Sequence, residues 1–453
     1  MGGSRVIMKC RSIVLRVVCC FFLAGGLCVH AAQLGPKPGP PTDAKKSDAR
    51  KDEKTEPEKP KTRYFAVTGA VVHTITGPTL HGPTLLCKND KIVALGHDVA
   101  IPKEAEVLDA EGFHLYPGLV AVSSYALVGV EPPDNGTDLY GLSMTLGLAG
   151  GVTTVVTGNT AAKLTFGTLE GHIVKRNLLH TLDYSPRNPE GRRKFRQSIE
   201  RARQYLRDLD AHEQQKEVDP NAVPPESLKG DAETALKLLR HELVAVADAD
   251  TARELVDLAV LAERYNFRLV VRGAREGWVV APAMARAGIR AVITPRVRHD
   301  RDERTNHPNG SSIENAKILH EHGVPCAIIP ARTGTSTGGI AGRDLMHIPM
   351  EAAFAVRGGL PEDVAVRAIT IDAARILGID HRVGSVEVGK DADFAIVDGD
   401  LLHYMTLVRW AVVNGRIAYD KEKDSLLNHI RPGGNLDALP PPYHWPRCLG
   451  EDW

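Results

Sequence analysis

Cysteine is scarce in this sequence, and its distribution excludes a scaffold held together by disulfides. The 453 residues include only seven cysteines. Four of them lie in the apolar N-terminal segment, which leaves Cys87, Cys326 and Cys448. Three widely spaced thiols form one bridge at most, so the fold must depend on a hydrophobic core.

An excess of charge of one sign is also absent. Lys and Arg together number 56, and Asp and Glu together number 56. A balanced chain lacks the basic electrostatic footprint of a nucleic-acid-binding protein. We therefore expect a small-molecule ligand or substrate and no nucleic acid, while self-association into a homo-oligomer stays open.

The most apolar run lies near the N-terminus and is typical of a secretory signal. Basic residues such as Arg5 and Arg16 flank the start of VVCCFFLAGGLCV, and small residues suit cleavage near Ala31 or Ala32. The run is short for a membrane span. We predict a signal peptide over residues 1–32 and an exported protein, periplasmic or extracellular. No stable membrane insertion is expected once the signal is removed.

Composition divides the ends of the remaining chain into segments of different character. Residues 33–62, rich in Pro, Lys and Glu, predict a disordered linker. Short alternating segments over 63–116, separated by turn residues, predict the N-terminal part of a small β-domain. Similar segments over 381–435 predict its C-terminal part, before a Pro-rich tail at 436–453. The small domain is therefore expected to contain both ends of the chain.

Between these parts, residues 117–380 alternate short strands with helices, as parallel β/α units do. The predicted strands are LVAVSSY, VTTVVTG, HIVKR, LVAVADA, RLVVRGA, RAVITP and VPCAIIPA. This rhythm predicts a (β/α)₈ barrel, for which about 250 residues is typical. Residues 183–240 interrupt it with a charged amphipathic helix, a Pro-rich break and a second helix, so we interpret them as a helical insertion.

Several motifs resemble those of the amidohydrolase superfamily, in particular its secreted imidazolonepropionase-like and dihydroorotase-like members. GSVEVGKDADF, within residues 368–400, is similar to the strands that follow the family's barrel. LDAEGFHLYPGLV and GVTTVV are similar to its entry into the first and second barrel strands. The resemblance implies an α/β fold, a TIM-like (β/α)₈ barrel with a composite β-sandwich formed by N- and C-terminal segments. It also implies a hydrolase that acts on non-peptide C–N bonds with zinc or another divalent metal.

The first barrel strand lacks the ligands that the resemblance leads us to expect. In the family this strand carries His-x-His, and here the two positions hold Ser123 and Tyr125. Residues i and i+2 of a strand share one face, so both side chains are expected to point the same way. A neutral hydroxyl and a phenol do not replace imidazoles as zinc ligands.

The later strands differ in the same way. The resemblance places Asp248 and Arg272 at the histidines of strands five and six, and Ala331 and Arg332 at the aspartate of the last strand. A guanidinium is always charged and cannot coordinate a cation. One carboxylate therefore survives, and we predict that no metal or other cofactor is bound.

Arginines near the predicted strand ends suggest a replacement for the metal. They are Arg272, Arg275, Arg296, Arg298 and Arg332. Asp248, Asp250 and Glu276 are available to pair with them, which makes a structural ion-pair network one interpretation and a site for a polar anion the other. The loop after RAVITP adds His299 and His307 as candidate ligand contacts.

Two functions remain open at this stage. The first is a hydrolase with an altered mechanism, in which Asp248 is the general base, Ser123 or Tyr125 positions water or substrate, and Arg272 stabilises an oxyanion. The second is a non-catalytic exported binding protein, a pseudoenzyme. Its arginine-lined barrel mouth would hold a small anionic ligand through Arg298, His299, His307 and Arg332.

Overall fold

The computed structural model describes residues 62–129, 136–336 and 342–424. The predicted signal peptide, almost all of the predicted linker and the Pro-rich tail lie outside these ranges, and so does Cys448. Within the described ranges, no helix combines the length and apolar character needed to cross a membrane.

The first described segment consists of short strands joined by turns. They are β1 (Tyr64–Thr68), β2 (Val71–His73), β3 (Thr79–His81), β4 (Thr84–Lys88), β5 (Lys91–Gly96), β6 (Glu106–Asp109) and β7 (His114–Pro117). Four of them form a sheet in the order β5-β4-β1-β6. Phe65 and Val67 of β1 point to one face and are buried, as the alternation of a strand requires.

Strands and helices alternate after β7. The strands are β8 (Leu119–Ala121), β9 (Val152–Thr157), β10 (Thr160–Lys163), β11 (Ile173–Lys175), β12 (Leu179–Thr181), β13 (Val244–Ala249), β14 (Leu269–Gly273), β15 (Arg290–Ile293) and β16 (Cys326–Ile328). The helices are α1 (Leu142–Ala149), α2 (Pro189–Val218), α3 (Asp231–Leu239), α4 (Ala252–Tyr265), α5 (Gly277–Arg286), α6 (Asn315–Glu321), α7 (Ile348–Arg357), α8 (Glu362–Ala368) and α9 (Ile371–Leu377). A short 3₁₀ turn, Leu345–His347, precedes α7.

The strands β12 to β16 form a parallel sheet in sequence order. Helices α4, α5 and α6 each carry the chain back between neighbouring strands, which is what parallel pairing needs. The start of α4 is defined by a reciprocal capping box, in which Thr251 and Glu254 each accept from the other's backbone N–H. All carboxyl ends of these strands therefore meet at one edge of the sheet.

One predicted parallel strand is wrong. HIVKR contains β11, which pairs antiparallel with β10, and β10 in turn pairs antiparallel with β9. Only Gly158 and Asn159 connect β9 to β10, whereas a parallel crossover needs a dozen or more residues. The next parallel strand is instead β12, which the sequence pattern did not indicate. The parallel strands thus lie in two sheets, β11-β10-β9-β8 and β12-β13-β14-β15-β16.

The stretch EDVAVRAITIDAARILG, whose apolar pattern predicts one helix, forms two helices. The break falls between α8 and α9, where Thr370 has φ −130° and ψ −102°. Helix α9 then ends at Gly378, whose φ of +67° is a left-handed conformation that glycine adopts without strain. The chain leaves α9 toward the last strands.

The last strands complete a sheet with strands from the start of the chain. They are β17 (Phe394–Val397), β18 (Val408–Val413) and β19 (Arg416–Asp420). The six-stranded order is β19-β18-β17-β7-β2-β3, and the β7–β17 pair places Leu115 opposite Ile396. Phe65 of the first sheet stacks with Phe394 at a ring-centroid distance of 6.3 Å, so both sheets share one apolar cluster.

A buried charge cluster links the β10 hairpin to this sheet. The side chain of Lys163 is fully buried, and its Nζ lies 2.6 Å from Asp391 Oδ2 and 2.7 Å from Asp393 Oδ2. The same Nζ donates to Asn414 Oδ1 at 2.6 Å. Arg382 also pairs with Asp391. Lys163 and Arg382 therefore compensate the buried carboxylates between the β10 hairpin and this sheet.

Candidate functional site

Two neighbouring strands place an acid and a base opposite each other at the carboxyl edge of the parallel sheet. The register of β13 and β14 pairs Asp248 with Arg272. Arg272 donates from Nε to Asp248 Oδ1 at 2.8 Å and from Nη2 to Oδ2 at 2.9 Å. Both carboxylate oxygens are engaged, although the Asp248 side chain is 69% exposed. The predicted pairing of Asp248 with an arginine is confirmed.

A second ion pair lies just beyond the first. Asp250 accepts a hydrogen bond from Arg275. Gly273 has a φ of +97°, which residues with a side chain rarely adopt, and a Cβ there would also crowd Asp250 Oδ1. Burial raises the pKa of the Asp250 carboxyl, and the Arg275 guanidinium works in the opposite direction. This pairing was also predicted.

Glu276 has a different role from the predicted one. Its Oε2 accepts the Ala252 N–H at 2.7 Å, and its Oε1 accepts the Gly310 N–H at 2.8 Å. The carboxylate therefore joins the start of α4 to the loop that follows β15. It satisfies backbone donors instead of pairing with an arginine.

Arg296, just after β15, is anchored to α7. Its Nε lies 2.7 Å from Glu351 Oε2, and its backbone N–H donates to Glu351 Oε1 at 2.8 Å. The Glu351 side chain is only 1% exposed. The Arg296 guanidinium lies 5.1 Å from the centroid of the Phe354 ring and also donates to the Gly342 carbonyl. The Arg296 guanidinium therefore holds the chain after β15 against α7.

The strand-alternation argument for Ser123 and Tyr125 is wrong, because β8 ends at Ala121. The backbone N–H of Ser124 donates to Val156 O at 2.6 Å, and Ser124 Oγ lies 2.8 Å from Thr157 Oγ1. The Tyr125 side chain is 75% exposed. Beyond the end of a strand, residues two apart do not have to share a face. Ser123 is half-buried at this bend.

The remaining candidates are exposed residues of the loops at the same edge. Arg298 and His299 follow β15, and Arg332 follows β16. Burial raises the pKa of the Asp250 carboxyl, and His299 is close enough to oppose this rise together with Arg275. Arg332 donates its backbone N–H to Arg343 O at 3.0 Å. His307 bonds to the carbonyl of the adjacent Pro308 at 2.9 Å, and no contact links it to the ion pairs within the described ranges.

These residues do not fit the family's metal. Asp248 is the only carboxylate among the predicted ligand positions, and both its oxygens accept from Arg272. Zinc sites use three or four N, S or O⁻ donors. Among residues 62–129, 136–336 and 342–424, no group of three or more His, Cys, Asp or Glu side chains is arranged to hold a metal ion.

Sequence reasoning missed one acid–imidazole pair. His347 Nδ1 lies 2.8 Å from Asp344 Oδ1, and Asp344 Oδ2 accepts the Ser336 N–H at 3.0 Å. Asp344 is 8% exposed. The signal that could have found the pair is Asp-x-x-His directly before α7, because i, i+3 residues meet in a helical turn.

Comparison with known proteins agrees with the sequence motifs. The family model described as the amidohydrolase family matches residues 274–433. Imidazolonepropionase of Pseudomonas savastanoi pv. phaseolicola is 31% identical over 118 residues, which is 26% of this chain and 26% of that protein. Urease subunit alpha of Yersinia pestis is 32% identical over 118 residues, covering 23% of this chain and 20% of that protein. The match spans about a quarter of the length of these relatives.

A solved structure extends the likeness to most of the described chain. The amidohydrolase from Thermotoga maritima superposes with a TM-score of 0.59 at 22% identity, covering 79% of this chain and all of that one. At this identity the likeness concerns the fold, which is a TIM-barrel-like α/β fold. Taken with the matched segments, it supports the predicted resemblance to the amidohydrolase superfamily.

Proposed function

We propose that the two sheets that contain the parallel strands curve into one barrel whose mouth carries the ion pairs described above. Two hydrogen bonds support this closure. Tyr125 N donates to Thr333 O at 2.7 Å beyond β8 and β16, and Leu178 N donates to Asn159 O at 2.8 Å between β9 and β12. The small domain would then be a composite β-sandwich, which the apolar cluster shared by its two sheets supports.

The mouth is proposed to bind a small polar anion without a metal. The single observation that carries this proposal is the bidentate Arg272–Asp248 pair at two of the positions where the family places histidines. A guanidinium at that position repels a cation and recognises a carboxylate or phosphate oxygen. A ligand anion would compete with Asp248 for Arg272, and the exposed pair leaves room for that exchange.

Arg298 and Arg332 are the proposed additional contacts. Both are exposed on adjacent loops, and neither has a carboxylate partner within the described ranges. His299 lies nearby and would add a hydrogen bond, whereas His307 is a weaker candidate because it bonds locally. The protein would thus be an exported binding protein that uses the amidohydrolase scaffold.

Thermal shift and calorimetry test this proposal directly. Phosphate and short dicarboxylates should raise the melting temperature of the mature protein, and Arg332→Gln or Arg298→Gln should reduce the anion affinity about tenfold. Arg193→Gln on the exposed face of α2 is the matched control and should change nothing. Stabilisation by Zn²⁺ or Mn²⁺ together with no response to anions would refute the proposal.

Hydrolysis of a non-peptide C–N bond is the second candidate. The family resemblance favours it, and the Asp248 carboxylate is exposed enough to act as a general base, with Arg272 beside it for an oxyanion. Hydantoins, cyclic amides and imidazolones should then be hydrolysed, and Asp248→Asn should abolish turnover. An inactive wild-type protein, with and without added Zn²⁺, would count against this candidate and leave the binding proposal intact.

A further inference from the structure

A second cleft lies outside the strand edge, between α7 and the loop over residues 398–407. Its volume is about 500 Å³, within the range of small-molecule sites. The walls are largely apolar and include Met346, Met350, Phe354, Leu401 and Tyr404. Phe354 and Tyr404 keep 36% and 76% of their surface exposed. Aromatic and thioether side chains that stay accessible on facing walls are suited to hold a flat apolar molecule.

His347 is one of the polar side chains that line this cleft, and His403 and Thr406 line it as well. The Nδ1 atom of the His347 ring lies 2.8 Å from Oδ1 of the buried Asp344 carboxylate. A carboxylate accepts only, so this bond selects the tautomer with the proton on Nδ1, in which Nε2 is an acceptor. Asp344 is fixed in turn by the Ser336 N–H. The His347 ring is therefore held in one orientation beside the apolar walls.

We infer that this cleft binds a small aromatic molecule that carries one hydrogen-bond donor, a phenol or an indole. The ring would pack between Phe354 and Tyr404, and its O–H or N–H would donate to His347 Nε2. A phenolic or indolic donor matches because an acceptor in a largely apolar cleft favours a ligand that satisfies it over one that does not. The site is separate from the Arg272–Asp248 pair, so it does not rest on the proposed anion binding.

Charged groups around the cleft argue against an anionic ligand. Arg357 lines this cleft, while Glu362, Asp398 and Asp400 line the adjoining opening. The Oδ1 atoms of Asp398 and Asp400 accept the Leu407 and Leu402 N–H groups at 2.8 Å. The three carboxylates outnumber the one guanidinium, so a phenol or an indole fits these surroundings better than an anion does.

Matched probe pairs test the inference by calorimetry on the mature protein. p-Cresol should bind at least about fivefold more tightly than 4-methylanisole, because only the phenol donates a hydrogen bond. Indole should likewise bind more tightly than N-methylindole, because only indole has an N–H to donate. The preference should disappear in His347→Phe, which still packs against the methyl ether, and should survive in part in His347→Gln, which retains an acceptor oxygen.

A cavity-filling pair provides the control. Ala353→Phe places a ring inside the cleft and should abolish binding of both probes, whereas Ala211→Phe on the exposed side of α2 should leave binding unchanged. Equal affinity for p-cresol and 4-methylanisole would overturn the inference. So would the absence of binding combined with self-association that Ala353→Phe disrupts, because a second copy would then occupy the cleft.

Discussion

Arg272 holds both carboxylate oxygens of Asp248 across two neighbouring parallel strands. The geometry is the planar, two-point recognition for which a guanidinium is better suited than an ammonium. Because the pair occupies the carboxyl edge of the sheet, it determines what can approach there. A ligand must either displace a carboxylate or be recognised by the remaining arginines.

Removing this pair should leave the fold almost unchanged. We expect Asp248→Asn and Arg272→Gln each to alter the free energy of unfolding by less than about 1 kcal/mol, since exposed ion pairs contribute little. The side chains are 69% and 37% exposed, which places them in that class. Urea denaturation of both variants checks the expectation, and a loss of several kcal/mol would mean that the pair is structural.

Lys163 should behave in the opposite way, because its side chain is fully buried. Lys163→Met removes the buried cation that Asp391 and Asp393 share, and Asp391 alone keeps other cationic partners, Lys91 and Arg382. We expect the free energy of unfolding to fall by about 3–5 kcal/mol. Urea denaturation measures this change in the free energy of unfolding. Lys194→Met, at a surface pair on α2 that is 63% exposed, is the control and should cost at most about 0.5 kcal/mol.

The charge balance of this cluster can be tested with a double variant. Lys163→Met combined with Asp393→Asn removes one of the two carboxylates that the lysine compensates. We expect it to be more stable than the single Lys163→Met variant. If the two substitutions lowered the free energy of unfolding additively, the electrostatic explanation would be contradicted and packing would be the dominant effect.

His73 should make stability fall in mild acid. Its ring stacks on Tyr116 at 4.1 Å between centroids and its Nε2 lies 2.9 Å from His114 Nδ1. Burial lowers the pKa of His73 to about 4, and the nearby His114 adds to the effect. The unfolded chain has the ordinary value of about 6.5. Protons therefore bind the unfolded state first, and stability present above pH 6.5 is lost progressively as the pH falls toward 4.

The measurement is urea denaturation at a series of pH values between 7.5 and 4. His73→Gln should flatten the slope in this range, while His322→Gln, on an exposed helix end, should retain the wild-type slope. An unchanged slope in His73→Gln would show that other groups cause the acid sensitivity.

Glu351 should be among the most sensitive acidic residues near the strand edge. It is 1% exposed and accepts from both the backbone and the side chain of Arg296. Glu351→Ala leaves a largely buried guanidinium unpaired, so we expect a loss of about 3–5 kcal/mol in the free energy of unfolding. Glu314→Ala, half-exposed and paired only with Lys317, is the control and should lose less than about 1 kcal/mol.

Periodicity and turn residues predict much of this fold. The segments RLVVRGA and RAVITP lie in a parallel sheet, and TARELVDLAVLAERY is a capped helix, because each signal is local and strong. The short alternating segments near both ends of the chain also indicated the sheet that these segments share. The prediction of HIVKR as a parallel strand was wrong, because an apolar run indicates that a strand forms but not the direction in which it pairs with its neighbour.

The candidate site was less predictable, for a similar reason. The resemblance to the amidohydrolase superfamily located Asp248 and Arg272, and the register of β13 and β14 pairs them. The same resemblance placed Ser123 and Tyr125 on a strand, but β8 ends before them. Asp344 and His347 were not noticed because their pairing depends on a turn before α7, a feature that hydrophobic patterning does not report.

The pairing of β7 with β17 has a consequence for biosynthesis. When the chain emerges from the ribosome in order, Leu115 leaves long before its partner Ile396 exists. The apolar face of β7 must therefore remain without its neighbour while the whole α/β region is being made. Nascent chains of this protein should need a chaperone until β17 arrives, because contacts between distant parts of a sequence form late.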